Sequence, residues 1–200
     1  PFEKEIAVIA ARNEKGEVTC FPTVEMVFHP ELNLVEYLFS PAIVSKSVED
    51  KAQEIAKTLI TKLNMVGLLA IEMFLTKEGE ILVNEVAPRT HNSGHQTIEG
   101  NETSQFEQHL RAILNLPLGS TKIVQPAAMV NLLGEDGFEG PAKYEGMENV
   151  LGQEGIHVHL YGKRITKPHR KMGHATITAS NIDGLKEKVN FVKAELKIKA

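Results

Sequence analysis

Short apolar runs rich in β-forming residues, separated by polar segments, dominate the first forty residues and predict β-strands. Turn-forming segments such as Asn13–Gly16 and His29–Pro30 separate the runs. The predicted strands cover residues 6–12, 18–21, 24–28, 34–39, 68–75, 81–86, 127–133, 157–161 and 175–178. The short polar segment 76–80 joins two of these strands, so we expect 68–75 and 81–86 to form a hairpin.

Helical spacing of apolar positions marks four other segments. The first helix is predicted to begin at Ser47, where Asp50 gives a capping-box-like start, and to end near Asn64. The second covers residues 103–114 and places four large apolar side chains on one face: Phe106, Leu110, Ile113 and Leu114. A short helix near residues 144–150 and a final helix over 182–196 complete the pattern.

The segment Leu116–Ser120 is the best candidate for a boundary, because it combines proline, glycine and serine between two patterned regions. Strands and helices are mixed on both sides of it. We therefore predict an α+β fold with a larger unit over residues 1–116 and a smaller unit over residues 121–200.

The composition narrows the class of protein. With 42% hydrophobic and 24% charged residues the chain is typical of globular proteins, and a net charge of −4 disfavours general nucleic-acid binding. No apolar run reaches the roughly 18–20 residues that span a membrane. Cys20 is the single cysteine, so we predict an inert structural thiol and a reducing, cytoplasmic setting. The start at Pro1, just ahead of a strand, leads us to expect a fragment of a longer protein.

The most unusual stretch is the segment 84–95, with the sequence NEVAPRTHNSGH, which follows a predicted strand. It contains one carboxylate, one guanidinium, two imidazoles and two carboxamides within twelve residues. Such a density of polar groups at the end of a buried strand indicates a site for a charged ligand. Glu72 adds a carboxylate inside the preceding apolar strand, where it needs a cation nearby.

The predicted hairpin brings the two carboxylates together. If Leu75 pairs with Glu80, Glu72 lies opposite Val83 and has Glu85 as its diagonal neighbour, with Cβ atoms roughly 7–8 Å apart. Mg²⁺ bound by both carboxylates and by substrate phosphates would offset their repulsion. A shift of one residue in register would move Glu85 to the other face, so two solvent-facing glutamates stay an open alternative.

Arg89 and His91 follow at the end of the second strand. The guanidinium of Arg89 suits a carboxylate, bicarbonate or phosphate. His91 and His95 are four residues apart and would form a metal pair on a helix, but Pro88 and the segment 92–94 favour a loop. A zinc site is therefore the weaker alternative, and His95 is equally well explained as a hydrogen-bonded loop residue.

A second basic segment, residues 163–174, carries five lysines or arginines and two histidines on an otherwise acidic chain. It is either a solvated surface loop or a clamp for one phosphate group, which needs only two or three cationic donors. A nucleic-acid patch would need more positive charge and interleaved aromatic residues.

These two motifs together resemble those of the 5-(carboxyamino)imidazole ribonucleotide synthases, ATP-grasp enzymes of purine biosynthesis. The resemblance rests on the segments 84–95 and 170–174 and extends over essentially the whole chain, including residues 2–5, 104–112 and 129–134. It implies the C-terminal part of an ATP-grasp module, an antiparallel sheet with helices, over residues 1–116. A small α+β domain would follow over residues 121–200.

The resemblance also implies an activity, an ATP-dependent carboxylation of 5-aminoimidazole ribonucleotide by bicarbonate through carboxyphosphate. ATP and Mg²⁺ would be required, the substrates would be small molecules, and a homodimer is expected. Mg²⁺ would be bound by Glu72 and Glu85. Arg89 and His91 would be the catalytic residues and would also contact the substrates. Nucleotide or metal-shell contacts are implied for Glu5, His29, Asn84 and Glu85, and ribonucleotide contacts for Asn92, Lys163 and Arg170.

Two features limit this expectation. Ala87 stands where many ATP-grasp enzymes have asparagine, although the branch that the chain resembles shares the alanine. The family's phosphate-covering loop and ATP-contacting lysines would precede Pro1, so we expect the 200-residue chain alone to be inactive or nearly so. Another ATP-grasp ligase or carboxylase and a non-catalytic ligand-binding module are the alternatives.

Overall fold

The computed structural model describes residues 2–28 and 35–200, and all statements about the fold refer to them. The strands are β1 (Phe2–Arg12), β2 (Val18–Cys20), β3 (Val24–Phe28), β4 (Val35–Ser40), β5 (Gly67–Thr76), β6 (Ile81–Ala87), β7 (Ala127–Leu133), β8 (Gly140–Pro141), β9 (Lys143–Glu145), β10 (Ile156–Leu160), β11 (Ile165–Thr166), β12 (Lys171–Thr178) and β13 (Lys197–Lys199). The helices are α1 (Lys46–Lys62), α2 (Thr97–Gly100), α3 (Gln105–Ile113), α4 (Met147–Leu151) and α5 (Ile182–Glu195).

One large antiparallel sheet organises the described residues. Its strands lie in the order β10-β12-β7-β4-β3-β1-β5-β6, and β2 also pairs with β1. The predicted α+β class with an antiparallel sheet is confirmed. Because β4 pairs with β7, the sheet continues from the predicted larger unit into the predicted smaller one. The division between residues 116 and 121 stays a prediction.

The helix α1 covers one face of the sheet. Its buried residues Ala52, Ala56 and Ile60 pack against the apolar side chains of β1 and β5. The helix is capped by Ser45, whose hydroxyl accepts a hydrogen bond from the Val48 amide at 3.3 Å. The predicted start at Ser47 was therefore wrong by two residues, because the serine that satisfies the free amides of the first turn precedes it.

The helix α3 has an unexpected inner face. Its buried residues are Gln105, Gln108 and Ala112. The apolar face identified in the sequence is instead exposed, with relative exposures of 40% for Phe106, 55% for Leu110, 48% for Ile113 and 63% for Leu114. Hydrophobic spacing predicted the helix, but it did not predict which face contacts the sheet.

In the second half of the chain, α5 packs on β7 and β12 around a core that includes Leu185, Val189 and Val192. The predicted short helix over 144–150 begins later, at Met147, because Tyr144 lies in β9 and pairs with β13. The predicted strand over 175–178 begins earlier, at Lys171, so part of the basic segment is strand. None of the helices in the described residues has the length and apolar character that crossing a bilayer requires.

Candidate functional site

Glu72 of β5 and Glu85 of β6 lie directly opposite each other in the sheet. The hairpin pairs Leu75 with Ile81 and not with Glu80 as predicted, so the predicted diagonal relationship was wrong. Directly opposite residues of antiparallel strands point to the same face, with Cβ atoms closer than those of diagonal neighbours. The two carboxylates therefore share a face, as expected, but at shorter range.

A β-bulge produces this alignment. The pair Met73–Val83 is followed by the pair Glu72–Glu85, so Asn84 is an extra residue in β6. Without the extra residue, the ladder would place Asn84 opposite Glu72 and would turn the Glu85 side chain to the other face. The local irregularity of β6 is thus what assembles the carboxylate pair.

The carboxylate pair and one imidazole form a compact cluster. One carboxylate oxygen each from Glu72 and Glu85 and one ring nitrogen of His91 lie within 4.8 Å of one another. Burial, together with the negative charges of Glu85 and Glu5, raises the pKa of Glu72 to about 7. The positive charge of Lys171 acts in the opposite direction. At neutral pH the Glu72 carboxyl is therefore close to its titration midpoint.

His91 is half-buried where β6 runs into a 3₁₀ turn over Asn92–Gly94. Its Nδ1 atom accepts a hydrogen bond from the Ser93 amide at 3.4 Å and lies 3.0 Å from Ser93 Oγ. Burial and the charges of Arg89 and Lys171 lower the pKa of His91 to about 4. The imidazole is therefore neutral at physiological pH, and because Nδ1 accepts from Ser93 the ring proton is on Nε2, which can donate a hydrogen bond.

Arg89 and Lys171 lie near enough to the cluster for their charges to act on His91, and Lys171 also acts on Glu72. Arg89 is exposed, and its Nη1 donates to the carbonyl oxygen of Thr90 at 3.0 Å. Lys171, at the start of β12, is partly buried, and burial lowers its pKa, against the opposing influence of Glu72. Lys163 donates to the carbonyl oxygen of Lys171 at 2.5 Å and lies near enough for its charge to lower the Lys171 pKa as well. The result is a group of cations beside a pair of carboxylates.

Sequence reasoning named Lys163 and Arg170 from the basic segment but missed Lys171. The Nη1 atom of Arg170 donates to the carbonyl oxygen of Ile165 at 2.9 Å, within its own segment. Lys171 is the residue whose charge acts on both Glu72 and His91. A predicted strand starting at Lys171 would have indicated this residue, because side chains in a strand alternate between faces. The sequence offered no basis for choosing among the five cationic residues of the segment.

The remaining candidates occupy different positions around the cluster. Glu5 pairs with Phe74, two residues from Glu72, so it shares the face of the carboxylates. Asn92 exchanges amide hydrogen bonds with Asn131 of β7, at 2.9 and 3.2 Å. This pairing ties the loop after β6 to the other half of the sheet. His29 lies outside the described residues.

His95 does not belong to the metal-type cluster found among the described residues. Its ring stacks on His174, with centroids 4.5 Å apart, and on Phe106, with centroids 5.7 Å apart. Its Nδ1 atom lies 2.9 Å from the side-chain amide nitrogen of Gln105. The structure therefore gives His95 a packing role and does not support the alternative of a zinc pair with His91.

The cluster has the donor set that a hard divalent cation requires. Two carboxylates on adjacent strands supply oxygen ligands, and Mg²⁺ binds proteins through one or two carboxylates while it retains water or phosphate oxygens. Burial, followed by the charges of Glu85 and Glu5, raises the pKa of Glu72, and a bound cation would favour the ionised carboxylate. Glu72 and Glu85 thus fit such an ion.

Comparison with known families agrees with this geometry. Residues 1–106 match the ATP-grasp domain family, and residues 127–188 match the family described as the phosphoribosylaminoimidazole carboxylase C-terminal domain. The chain is 47% identical over 175 residues to N5-carboxyaminoimidazole ribonucleotide synthase from Bacillus subtilis. That alignment covers 88% of this chain and 44% of the relative.

Two solved structures are similar over nearly the whole chain. N5-carboxyaminoimidazole ribonucleotide synthetase from Thermotoga maritima superposes with a TM-score of 0.93 and 51% identity, covering 100% of this chain and 53% of that one. The Aspergillus clavatus synthase, in complex with ADP and 5-aminoimidazole ribonucleotide, gives a TM-score of 0.85 and 36% identity, covering 96% and 51%. The chain therefore spans about half the length of the relatives it matches.

Proposed function

Because the chain belongs to the ATP-grasp family, we propose that it supplies the metal-binding and carboxylation residues of an enzyme that joins bicarbonate to 5-aminoimidazole ribonucleotide with ATP hydrolysis. The relatives described above are named as synthases or synthetases of N5-carboxyaminoimidazole ribonucleotide, and the structure of one is a complex with ADP and 5-aminoimidazole ribonucleotide. The match of residues 127–188 to the carboxylase C-terminal domain favours this reaction over that of another ATP-grasp ligase.

The observation that carries the proposal is the bulge-aligned pair Glu72–Glu85. We assign Mg²⁺ binding to these two carboxylates, with Asn84 and Glu5 as neighbours on the nucleotide side. The bound ion would neutralise the triphosphate and align its terminal phosphate for transfer. By holding that ion, the two glutamates would help to place the terminal phosphate beside the bicarbonate that accepts it, a positioning and electrostatic role.

The loop after β6 and the start of β12 supply the groups for the carboxylation step. We assign to Arg89 and Lys171 the binding of the negative charge of bicarbonate or its phosphorylated form. His91 is neutral, since burial and the nearby cations lower its pKa to about 4, and with Nδ1 accepting from the Ser93 amide its Nε2–H can donate a hydrogen bond that orients the reacting groups. In this assignment the cations that lower the His91 pKa also stabilise the anionic reactant.

The other predicted contacts remain part of the proposal. Asn92, Lys163 and Arg170 are assigned to the ribonucleotide, and His29 to the nucleotide side. A homodimer and a cytoplasmic location remain predictions from the family resemblance and from the single cysteine.

The test uses the complete gene product that carries this chain. We expect Glu85→Gln to reduce ATP turnover dependent on 5-aminoimidazole ribonucleotide by at least about 10²-fold, as expected for loss of a group that stabilises charge in the transition state. The control Glu80→Gln changes an exposed glutamate next to the same strand and should keep wild-type turnover. Equal turnover by Glu85→Gln and wild type would contradict the assignment and favour a non-catalytic module.

A further inference from the structure

The side chain of Gln105, the first residue of α3, holds the backbone of His91. Its Oε1 atom accepts a hydrogen bond from the His91 amide at 2.9 Å, and its Nε2 atom donates to the His91 carbonyl oxygen at 2.7 Å. The carboxamide thus pairs with both backbone groups of one residue, as a neighbouring strand would. Gln105 is fully buried, so water cannot readily replace these bonds.

The same carboxamide also contacts His95. Its Nε2 atom lies 2.9 Å from His95 Nδ1, and the remaining proton of the NH₂ group can be donated there. His95 then accepts at Nδ1 and carries its own proton on Nε2. One buried amide therefore fixes the backbone of His91 and the tautomer of His95, at the two ends of the 3₁₀ turn that follows β6.

The packing around Gln105 leaves this amide little freedom. The backbone N–H of Gln105 donates to Thr97 Oγ1 at 2.8 Å, and Thr97 Oγ1 donates to the Gly94 carbonyl oxygen at 2.6 Å. A Cβ atom placed on Gly94 would lie 2.6 Å from Gln105 Cδ, so the turn approaches the side chain as closely as glycine allows. The geometry of the turn and that of the amide are mutually fixed.

We propose that Gln105 is a positioning residue of the site, whose carboxamide holds His91 so that the imidazole stays beside Glu72. His91 Nδ1 lies 3.7 Å from Glu72 Oε1, so a small displacement of the His91 backbone would separate the two groups. The consequence for turnover rests on the proposed function, whereas the hold on the His91 backbone does not.

The chain contains a matched control one turn further along α3. Gln108 is also fully buried, and its carboxamide pairs with the backbone of Gly119 through two hydrogen bonds of 2.8 Å. The chemistry resembles that at His91, but Gly119 lies in the segment between α3 and β7 and not at the carboxylate cluster. The effect of losing a buried carboxamide can therefore be distinguished from the effect of displacing His91.

The first experiment measures Gln105→Met and Gln108→Met in the complete gene product by NMR. We expect Gln105→Met to accelerate hydrogen exchange of the His91 amide by about tenfold or more relative to wild type, because its acceptor is lost. The ring ¹⁵N shifts of His95 should change at the same time, because the tautomer is no longer fixed. Gln108→Met should leave both His91 exchange and the His95 shifts as in wild type.

The second experiment measures kcat in the complete gene product. Gln105→Met should lower kcat by about 10- to 100-fold with a smaller effect on KM for 5-aminoimidazole ribonucleotide, since misplacement of a reacting group mainly affects the transition state. Gln108→Met should keep kcat near wild type. If either methionine variant does not fold, Gln105→Glu and Gln108→Glu are compared by kcat alone, because glutamate keeps the acceptor for the backbone amide and loses the donor to the backbone carbonyl.

Unchanged His91 exchange in Gln105→Met would overturn the proposal, as would an equal loss of kcat in both variants. If the wild-type gene product does not use 5-aminoimidazole ribonucleotide, the proposed function fails. The exchange measurement would still decide whether Gln105 holds His91.

Discussion

Glu72 Oε1 and His91 Nδ1 lie 3.7 Å apart, but the two side chains are not an ion pair at neutral pH. Burial raises the pKa of Glu72 to about 7 and, with help from Arg89 and Lys171, lowers the pKa of His91 to about 4. The histidine is neutral where the carboxyl begins to ionise. The pair therefore supplies no internal positive charge for the carboxylates, which leaves that role to a bound cation or to Lys171.

The raised pKa of Glu72 predicts a pH-dependent response to Mg²⁺. A carboxyl whose folded-state pKa is raised from 4.5 to about 7 contributes stability below pH 4.5 and loses that contribution as the pH rises through 7. Mg²⁺ competes with that proton, so it should raise the melting temperature more at about pH 8 than at about pH 5.5. At tenfold excess over its Kd the gain is about 1.4 kcal/mol.

Thermal unfolding with and without Mg²⁺ measures this effect. Glu72→Gln should abolish the Mg²⁺-dependent shift, and Glu80→Gln should retain it. A shift of equal size at both pH values would show that Glu72 does not bind the ion.

The histidine stack predicts a loss of stability in acid. His95, His174 and His159 stack with centroid separations of 4.5 and 4.6 Å, and burial followed by the neighbouring imidazoles lowers the pKa of His95 to about 4 and that of His174 to about 3. Below pH 6.5 these histidines bind protons in the unfolded chain but not in the folded chain. Each such group should lower the unfolding free energy by about 1.4 kcal/mol per pH unit.

Urea unfolding between about pH 7 and pH 5 tests this prediction. His174→Phe should flatten the dependence by the contribution of one group, whereas His157→Phe, at an exposed position of β10, should leave the slope of the wild type. Identical slopes for His174→Phe and wild type would show that His174 does not titrate as predicted.

Lys171→Met is predicted to affect the site through charge. Because the ammonium group lowers the pKa of Glu72, its removal should raise that pKa further and weaken anion binding. We expect kcat/KM of the complete gene product to fall about 10²-fold, as for other groups that stabilise developing negative charge. Lys167→Met, at an exposed position of the same basic segment, is the control and should behave as wild type. An equal effect of both substitutions would indicate a general change in surface charge.

Gly94→Ala should destabilise the turn between β6 and α2. The added Cβ would lie 2.3 Å from Ile9 Cδ1 and 2.6 Å from Gln105 Cδ, in a buried position that must expand to accept it. We expect a loss of about 1–3 kcal/mol of unfolding free energy, measured by urea denaturation. Gly152→Ala is the control, since its nearest neighbour would be 3.4 Å away and its φ of −74° suits alanine. A neutral Gly94→Ala would mean that the turn can relax at no cost.

Hydrophobic periodicity predicted most strands and the positions of the longer helices, because these follow from local patterns of burial. It predicted β3 and β7 residue for residue. It did not predict that α3 buries Gln105 and Gln108 and exposes its apolar face, because the partners of those amides are backbone groups of other segments. Burial of a satisfied carboxamide costs little, but its partner cannot be identified from spacing.

The sequence by itself determined the chemical groups of the site, since Glu72, Glu85, Arg89 and His91 stand out by residue type within or beside an apolar strand. The tertiary structure decided how they meet. The bulge at Asn84 shifts the register of β6 by one residue and so places Glu85 opposite Glu72. The start of β12 places Lys171 near enough for its charge to act on Glu72. Register and long-range packing depend on the sum of many contacts between distant segments, whereas residue type and period are local properties of the chain.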